Sequence, residues 1–151
     1  MKFFIDAEFN NFRGELISLA VVPQDIDLPE FYGVVEYSHF EYLDPWVKEN
    51  VIPILNQEPE PYQLVQTKFW CYLSNLMFLS KPIDVYADWP EDITHFCNML
   101  CKANGRRASF NASFHLIKSG DFTPKNPHNA LSDARALRDW YVDAYKTEGE
   151  F

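Results

Sequence analysis

Asp6 and Glu8 stand two apart in the segment Phe4-Ile5-Asp6-Ala7-Glu8-Phe9. On a β-strand the side-chain period of two sends both carboxylates to one face. Two like charges held that close are costly unless a cation compensates them, and hard divalent ions such as Mg²⁺ take oxygen ligands of this kind. The plainer alternative is the exposed polar face of an edge strand. Phe3, Phe4, Ile5 and Phe9 around the pair argue instead for a central, partly buried strand.

His128 and Asp133 form a second group in His128-Asn129-Ala130-Leu131-Ser132-Asp133, directly after Pro127. A helix that begins just after His128 would send the imidazole from the loop and Asp133 from the first turns toward the same N-terminal end. A surface histidine beside a solvated helical aspartate is the ordinary account of such a pair. The third group is Asp88-Trp89-Pro90-Glu91-Asp92, at the end of an apolar stretch and the start of a helical one. In open α/β sheets that strand end is where ligands collect.

The elements that must position these groups follow from the hydrophobic pattern. Residues 2–9 and 15–22 read as strands joined through a turn at residues 10–14, and residues 31–37 as a third, giving an antiparallel meander. Asp44-Pro45-Trp46 marks a helix start, with Asp44 as cap and proline in the first turn, for a short helix to residue 51. A longer helix spans residues 61–79, a buried strand 82–87, a helix from Pro90 or Glu91 to residue 104, a weak strand 107–110 and a last helix 129–145. This order predicts one α/β domain over residues 1–151, a mixed five-stranded sheet flanked by helices.

With 151 residues, 47% of them hydrophobic, the chain can bury a core without disulfides. Cys71, Cys97 and Cys101 lack any metal-ligand spacing; Cys97 and Cys101, four apart, read as buried thiols on one helix face. No apolar run approaches the roughly 20 residues of a membrane span, and the apolar start is too short for a secretory leader, so a cytoplasmic protein without membrane contact is expected. Thirteen basic against twenty-two acidic residues give a net charge of −9, which argues against a nonspecific duplex binder. It argues less against an enzyme whose acids gather at a cation site.

Taken together, the three acidic groups resemble the DEDD exonucleases of the histidine-containing branch, a superfamily with a ribonuclease H-like fold. Asp6-Ala7-Glu8 fits the first motif, Asp88 with Asp92 the middle one, and His128 with Asp133 the last; Asp88 stands where the family commonly has asparagine. Further matches at Phe9, Glu15-Leu16-Ile17-Ser18-Leu19, Trp46-Val47, Val51-Ile52-Pro53 and Pro127-His128-Asn129-Ala130-Leu131 look like the compact exoribonucleases that include ribonuclease T and the mycobacterial ribonuclease AS.

The resemblance implies a 3′-to-5′ exonuclease in which Asp6, Glu8, Asp92 and Asp133 hold two Mg²⁺ ions, replaceable by Mn²⁺, and His128 deprotonates the attacking water to release nucleoside 5′-monophosphates. Single-stranded RNA is the implied substrate, with DNA second, and a homodimer is implied by analogy. Ala7, Phe9, Phe12, Asp88 and Asn129 are the expected substrate contacts; Phe9 and Phe12 suit base stacking and equally suit core packing. Lys102, Arg106, Arg107, Lys118 and Lys125 are candidate phosphate contacts or simply solvated loop residues. Two alternatives stand beside this reading: a noncatalytic protein that keeps the fold to bind nucleic acid or protein, and a phosphohydrolase acting on free nucleotides.

Overall fold

The computed structural model describes residues 1–77, 82–118 and 122–146. Five strands, β1 (Lys2–Phe9), β2 (Leu16–Pro23), β3 (Phe31–Val34), β4 (Ile83–Ala87) and β5 (Ala112–Leu116), form one sheet in the order β3-β2-β1-β4-β5. The β1-β2-β3 half is antiparallel, while β4 runs parallel to β1 and β5 parallel to β4. Four helices, α1 (Pro45–Asn50), α2 (Tyr62–Met77), α3 (Pro90–Met99) and α4 (Ala130–Lys146), flank it, with a 3₁₀ turn at Ile52–Ile54. The chain is thus α/β with a mixed five-stranded sheet, as its pattern predicts. Among the described residues no helix is long and apolar enough to cross a membrane.

Strand β1 lies at the centre of the sheet, so both its faces are covered. Phe3, Ile5 and Ala7 join Leu19, Val21 and Val85 against Val65 and Phe69 of α2 and Phe96 and Met99 of α3. Phe4, on the opposite face, packs on Leu137 and Tyr141 of α4. Ala20 and Val22 of β2 meet Ala130 and Ala134 there. These short side chains let the first turns of α4 lie close over the sheet, on the face that also carries Asp6 and Glu8.

Three boundaries differ from the sequence reading. Strand β3 ends at Val34 rather than residue 37, because Val35 and Glu36 turn to the chain at Glu60: Val35 bridges Glu60, and the Glu36 N–H donates to the Glu60 carbonyl at 2.8 Å. Helix α3 stops at Met99, short of residue 104. The carbonyls at its end are taken by side chains of α2, with Gln66 Nε2 donating to Met99 and Cys101 and Trp70 Nε1 to Met99. The fifth strand is Ala112–Leu116 and not residues 107–110, where Arg107 merely bridges Cys101. Cys101 is therefore exposed beyond the helix and Cys97 only half-buried, so the pair does not form a buried face. Residues 78 and 79, expected at the end of the second helix, lie outside the described residues.

Candidate metal centre

Two irregularities of β1 shape the site. Its pairing with β4 runs from Lys2↔Asp84 to Phe4↔Tyr86 and no further, so the strand continues past the end of β4 with that edge open. On the other edge the register passes from Glu8↔Ser18 to Phe9↔Leu16, a bulge that leaves Ile17 as the extra residue. Bulges of this kind bend the strand and re-aim a side chain, here beside Glu8.

The chain leaving β4 fills the open edge. Asp88 follows the strand, and Pro90 starts α3 so that Glu91 and Asp92 fall in its first turn, where a helix N-terminus favours negative charge. Asp92 Oδ1 accepts the backbone N–H of Ala7 at 3.2 Å. From the opposite face, α4 brings Asp133. Its Oδ2 accepts the backbone N–H of His128 at 3.0 Å, and His128 adopts the left-handed conformation at φ 66°.

The result is two overlapping acidic groups. Asp6, Glu8 and Asp133 offer oxygens within 4.8 Å of one another, and so do Asp6, Asp88 and Asp92; Asp6 belongs to both. Asp6 Oδ2, Asp92 Oδ2 and Asp133 Oδ1 are shut off from solvent with no hydrogen-bond partner. A buried carboxylate oxygen left unpaired is expensive. Each acid is shifted toward its protonated form. Burial, then the charges of Asp92, Glu8, Asp133 and Asp88, raises Asp6 well above the usual carboxylate range. Burial and the nearby Asp133 push Glu8 up to about 8. Burial and Asp88 push Asp92 to about 8 against the opposing Ala7 N–H. Burial raises Asp133 to about 6, the His128 N–H acting in the other direction. An all-oxygen donor set strained in this way fits one or two hard divalent cations, whose charge would stabilise the ionised forms.

These acids floor an open cleft of about 860 Å³. Ala7, Phe9, Phe12, Asp88 and His128 all line it, alongside the four expected ligands. The exposed His128 imidazole meets the ring of Trp46 edge to face at a centroid distance of 4.9 Å. Phe9 is half-buried and stacks on His95 at 5.2 Å, so it serves as wall. Asn129 is not among the lining residues. It is the buried N-cap of α4: its Oδ1 accepts the Ser132 N–H at 3.1 Å, and its Nδ2 donates to the Ile54 carbonyl at 2.8 Å.

None of Lys102, Arg106, Arg107, Lys118 and Lys125 lines the cleft. Lys102 lies over Trp70, and Lys125 belongs to a separate groove along α4. The sequence reading gave no site role to Asp44, Trp46, Trp89 or Glu91, although it set Trp89 and Glu91 within the third acidic group; all four line the cleft. Asp44 and Trp46 come to it because the cap of α1 is hydrogen-bonded to the turn after β1, Asn11 Nδ2 donating to Asp44 Oδ2 and the Asp44 N–H to Asn10 Oδ1. Compared with known proteins, the chain matches no family and no curated protein.

Proposed function

We propose that this protein is a divalent-metal-dependent 3′-to-5′ exonuclease acting on single-stranded nucleic acid, RNA before DNA, with a ribonuclease H-like fold. The observation that carries the reading is the set of three buried, unpartnered carboxylate oxygens on Asp6, Asp92 and Asp133, in two acid groups sharing Asp6. A solvated acidic surface does not leave oxygens in that state. The sheet order, antiparallel half first and parallel half after, supports the fold assignment.

Asp6, Glu8 and Asp133 would hold one cation and Asp6, Asp92 and Asp88 the other. Bound there, Mg²⁺ or Mn²⁺ supplies Lewis-acid stabilisation of the charge that develops in phosphoryl transfer. The chain's own residues do the rest. Asp92 is fixed to β1 through Ala7, and Asp133 to the start of α4 through His128, so both acids are held before substrate arrives. His128 reaches the cleft from the same loop and accepts the proton of the attacking water. The water oxygen bonds to the last phosphorus as the bond to the upstream 3′ oxygen breaks. That oxygen takes a proton from solvent, and a nucleoside 5′-monophosphate leaves.

The test is incubation with 5′-labelled single-stranded RNA and DNA in Mg²⁺, Mn²⁺ or EDTA, beside Asp6→Ala. A metal-dependent ladder shortening from the 3′ end, absent in the variant, is expected. Turnover of free nucleotides alone would replace the reading by a nucleotide phosphohydrolase, and no turnover of either by a binding protein.

A further inference from the structure

The two edges of the sheet are finished differently. At β3 the chain around Glu60 closes the edge: the Glu60 N–H donates to the Val34 carbonyl at 2.9 Å, and the Glu36 N–H to the Glu60 carbonyl at 2.8 Å. Beyond β5 no further strand pairs among the described residues. An open edge is a template for another chain, and proteins ordinarily blunt it with lysine, proline, a bulge or a covering segment. Strand β5 reads Ala112-Ser113-Phe114-His115-Leu116, with no lysine and no proline, and its register with β4 runs unbroken over all five residues.

The bonding pattern shows which groups this edge offers. The Ile83 N–H donates to the Asn111 carbonyl at 3.2 Å, and at the other end the Ile117 N–H donates to the Ala87 carbonyl at 2.9 Å. A strand engages alternate residues on each side, so Asn111, Ser113, His115 and Ile117 turn their backbone groups to β4. Ala112, Phe114 and Leu116 turn theirs outward, and among the described residues none of the three has a backbone partner there. Beside these groups stand two apolar side chains, Phe114 at 39% exposed and Leu116 at 56%.

Charge selects the occupant. Residues 93–132 hold five basic side chains, Lys102, Arg106, Arg107, Lys118 and Lys125, against one acid, Asp121, in a chain of net charge −9. Arg106 and Arg107 precede β5 and Lys118 follows it; all three are exposed, and none makes an ion pair among the described residues. Antiparallel pairing with a second copy of this edge would bring Arg107 toward Lys118 of that copy, like charge against like. A strand that carries acids meets the opposite charge instead. A polynucleotide could use the basic ends, but it would leave the outward backbone groups and both apolar side chains unmet.

We propose that β5 is a docking edge for an extended acidic segment of another protein. The segment adds as a further strand, takes the backbone groups of Ala112, Phe114 and Leu116, and lays apolar side chains beside Phe114 and Leu116. Its acids lie toward Arg106, Arg107 and Lys118. No residue of β5 lines the acidic cleft, so this inference does not depend on the exonuclease reading.

The experiment follows amide hydrogen exchange of the ¹⁵N-labelled full chain, alone and with a peptide of about six residues that alternates glutamate with valine. Affinity is read from fluorescence anisotropy of the labelled peptide, beside a lysine-for-glutamate peptide and a fully N-methylated one. With the glutamate peptide the amides of Ala112, Phe114 and Leu116 should exchange more slowly, while Ser113 and His115, already bonded to β4, stay unchanged. Both control peptides should bind more weakly, and Arg107→Glu combined with Lys118→Glu should weaken the glutamate peptide about tenfold. Leu116→Pro removes an outward N–H without touching the β4 ladder, a position where an edge strand tolerates proline. It should fold and bind more weakly, whereas Leu116→Val should keep most of the affinity. Unchanged exchange at the three amides, or equal binding of the lysine or N-methylated peptide, overturns the proposal. So does slowed exchange at the same amides on raising protein concentration alone, which assigns the edge to a second copy, or on adding single-stranded RNA, which assigns it to nucleic acid. The peptide arms use wild-type protein, so they decide even where a variant fails to fold.

Discussion

Asp92 gives one carboxylate oxygen to the backbone N–H of Ala7, 3.2 Å away, and keeps the other buried without a partner. The strand that carries Asp6 and Glu8 thereby fixes a third acid through its own backbone, one residue from each of them. Position is fixed, and one buried oxygen is left without a partner.

Asp92→Asn separates these two roles. The amide keeps an acceptor for Ala7 while removing the charge that faces Asp6, Asp88 and Glu8. In EDTA near pH 8 the variant should melt above the wild type and should gain nothing from Mg²⁺, with cleavage lost. Asp92→Ala leaves the Ala7 N–H without a partner and should lose about 1–3 kcal/mol of stability, melting lower. If the asparagine variant melts as low as the alanine one, the site is not electrostatically strained and the metal reading loses its main support.

The same strain sets a pH dependence. In the folded protein Glu8 and Asp92 titrate near 8 and Asp133 near 6, while unfolded carboxyls titrate near 4. Between about pH 4 and 8 the folded state therefore binds more protons than the unfolded one, and this contribution to stability falls as pH rises. A divalent cation favours the ionised acids, so the rise in Tm with Mg²⁺ or Mn²⁺ should be small near pH 5 and largest near pH 8. Melting curves across pH 5–9 with cation and with EDTA check this; an equal increment at both ends would contradict it.

Much of this was legible from the chain. The apolar run Phe3-Phe4-Ile5 marks β1, and the strand's period of two, a local property, sends Asp6 and Glu8 to one face. Pro90 marks the start of α3, and Asp92 enters with it. What escaped is set by tertiary packing. The end of α3 depends on Gln66 and Trp70, some thirty residues earlier, and β5 is a mostly exposed edge strand whose placement comes from pairing with β4. Trp46 reaches the cleft because Val47 seats α1 on Ile17 and Val34 and Asp44 is bonded to Asn10 and Asn11, and no spacing along the sequence encodes that.

Asn129 shows the converse case. Its place between His128 and Ala130 resembles a substrate contact, yet the side chain caps α4 and ties it to the Ile54 and Leu55 carbonyls. Asn129→Ala should cost about 1–2 kcal/mol and lower the Tm by roughly 2–8 °C for a domain of this size. Its KM for a single-stranded oligonucleotide should match the wild type at a temperature where both are folded. A raised KM at wild-type Tm would return Asn129 to the substrate.

His128 is the side chain whose removal needs the most careful choice of variant. At φ 66° the residue occupies a region that costs a β-carbon about 1–2 kcal/mol and that asparagine tolerates better than alanine. Its backbone N–H, not its ring, holds Asp133, so the acid survives any substitution that keeps the backbone in place. His128→Asn should therefore fold as the wild type does, keep the Mg²⁺-dependent rise in Tm, and lose about 10²- to 10⁴-fold in cleavage rate for want of a proton acceptor. His128→Ala should lose similar activity and also melt lower, because its backbone strain is unrelieved. Cleavage near the wild-type rate by His128→Asn would show that the imidazole takes no proton, and the role would pass to another group or to solvent.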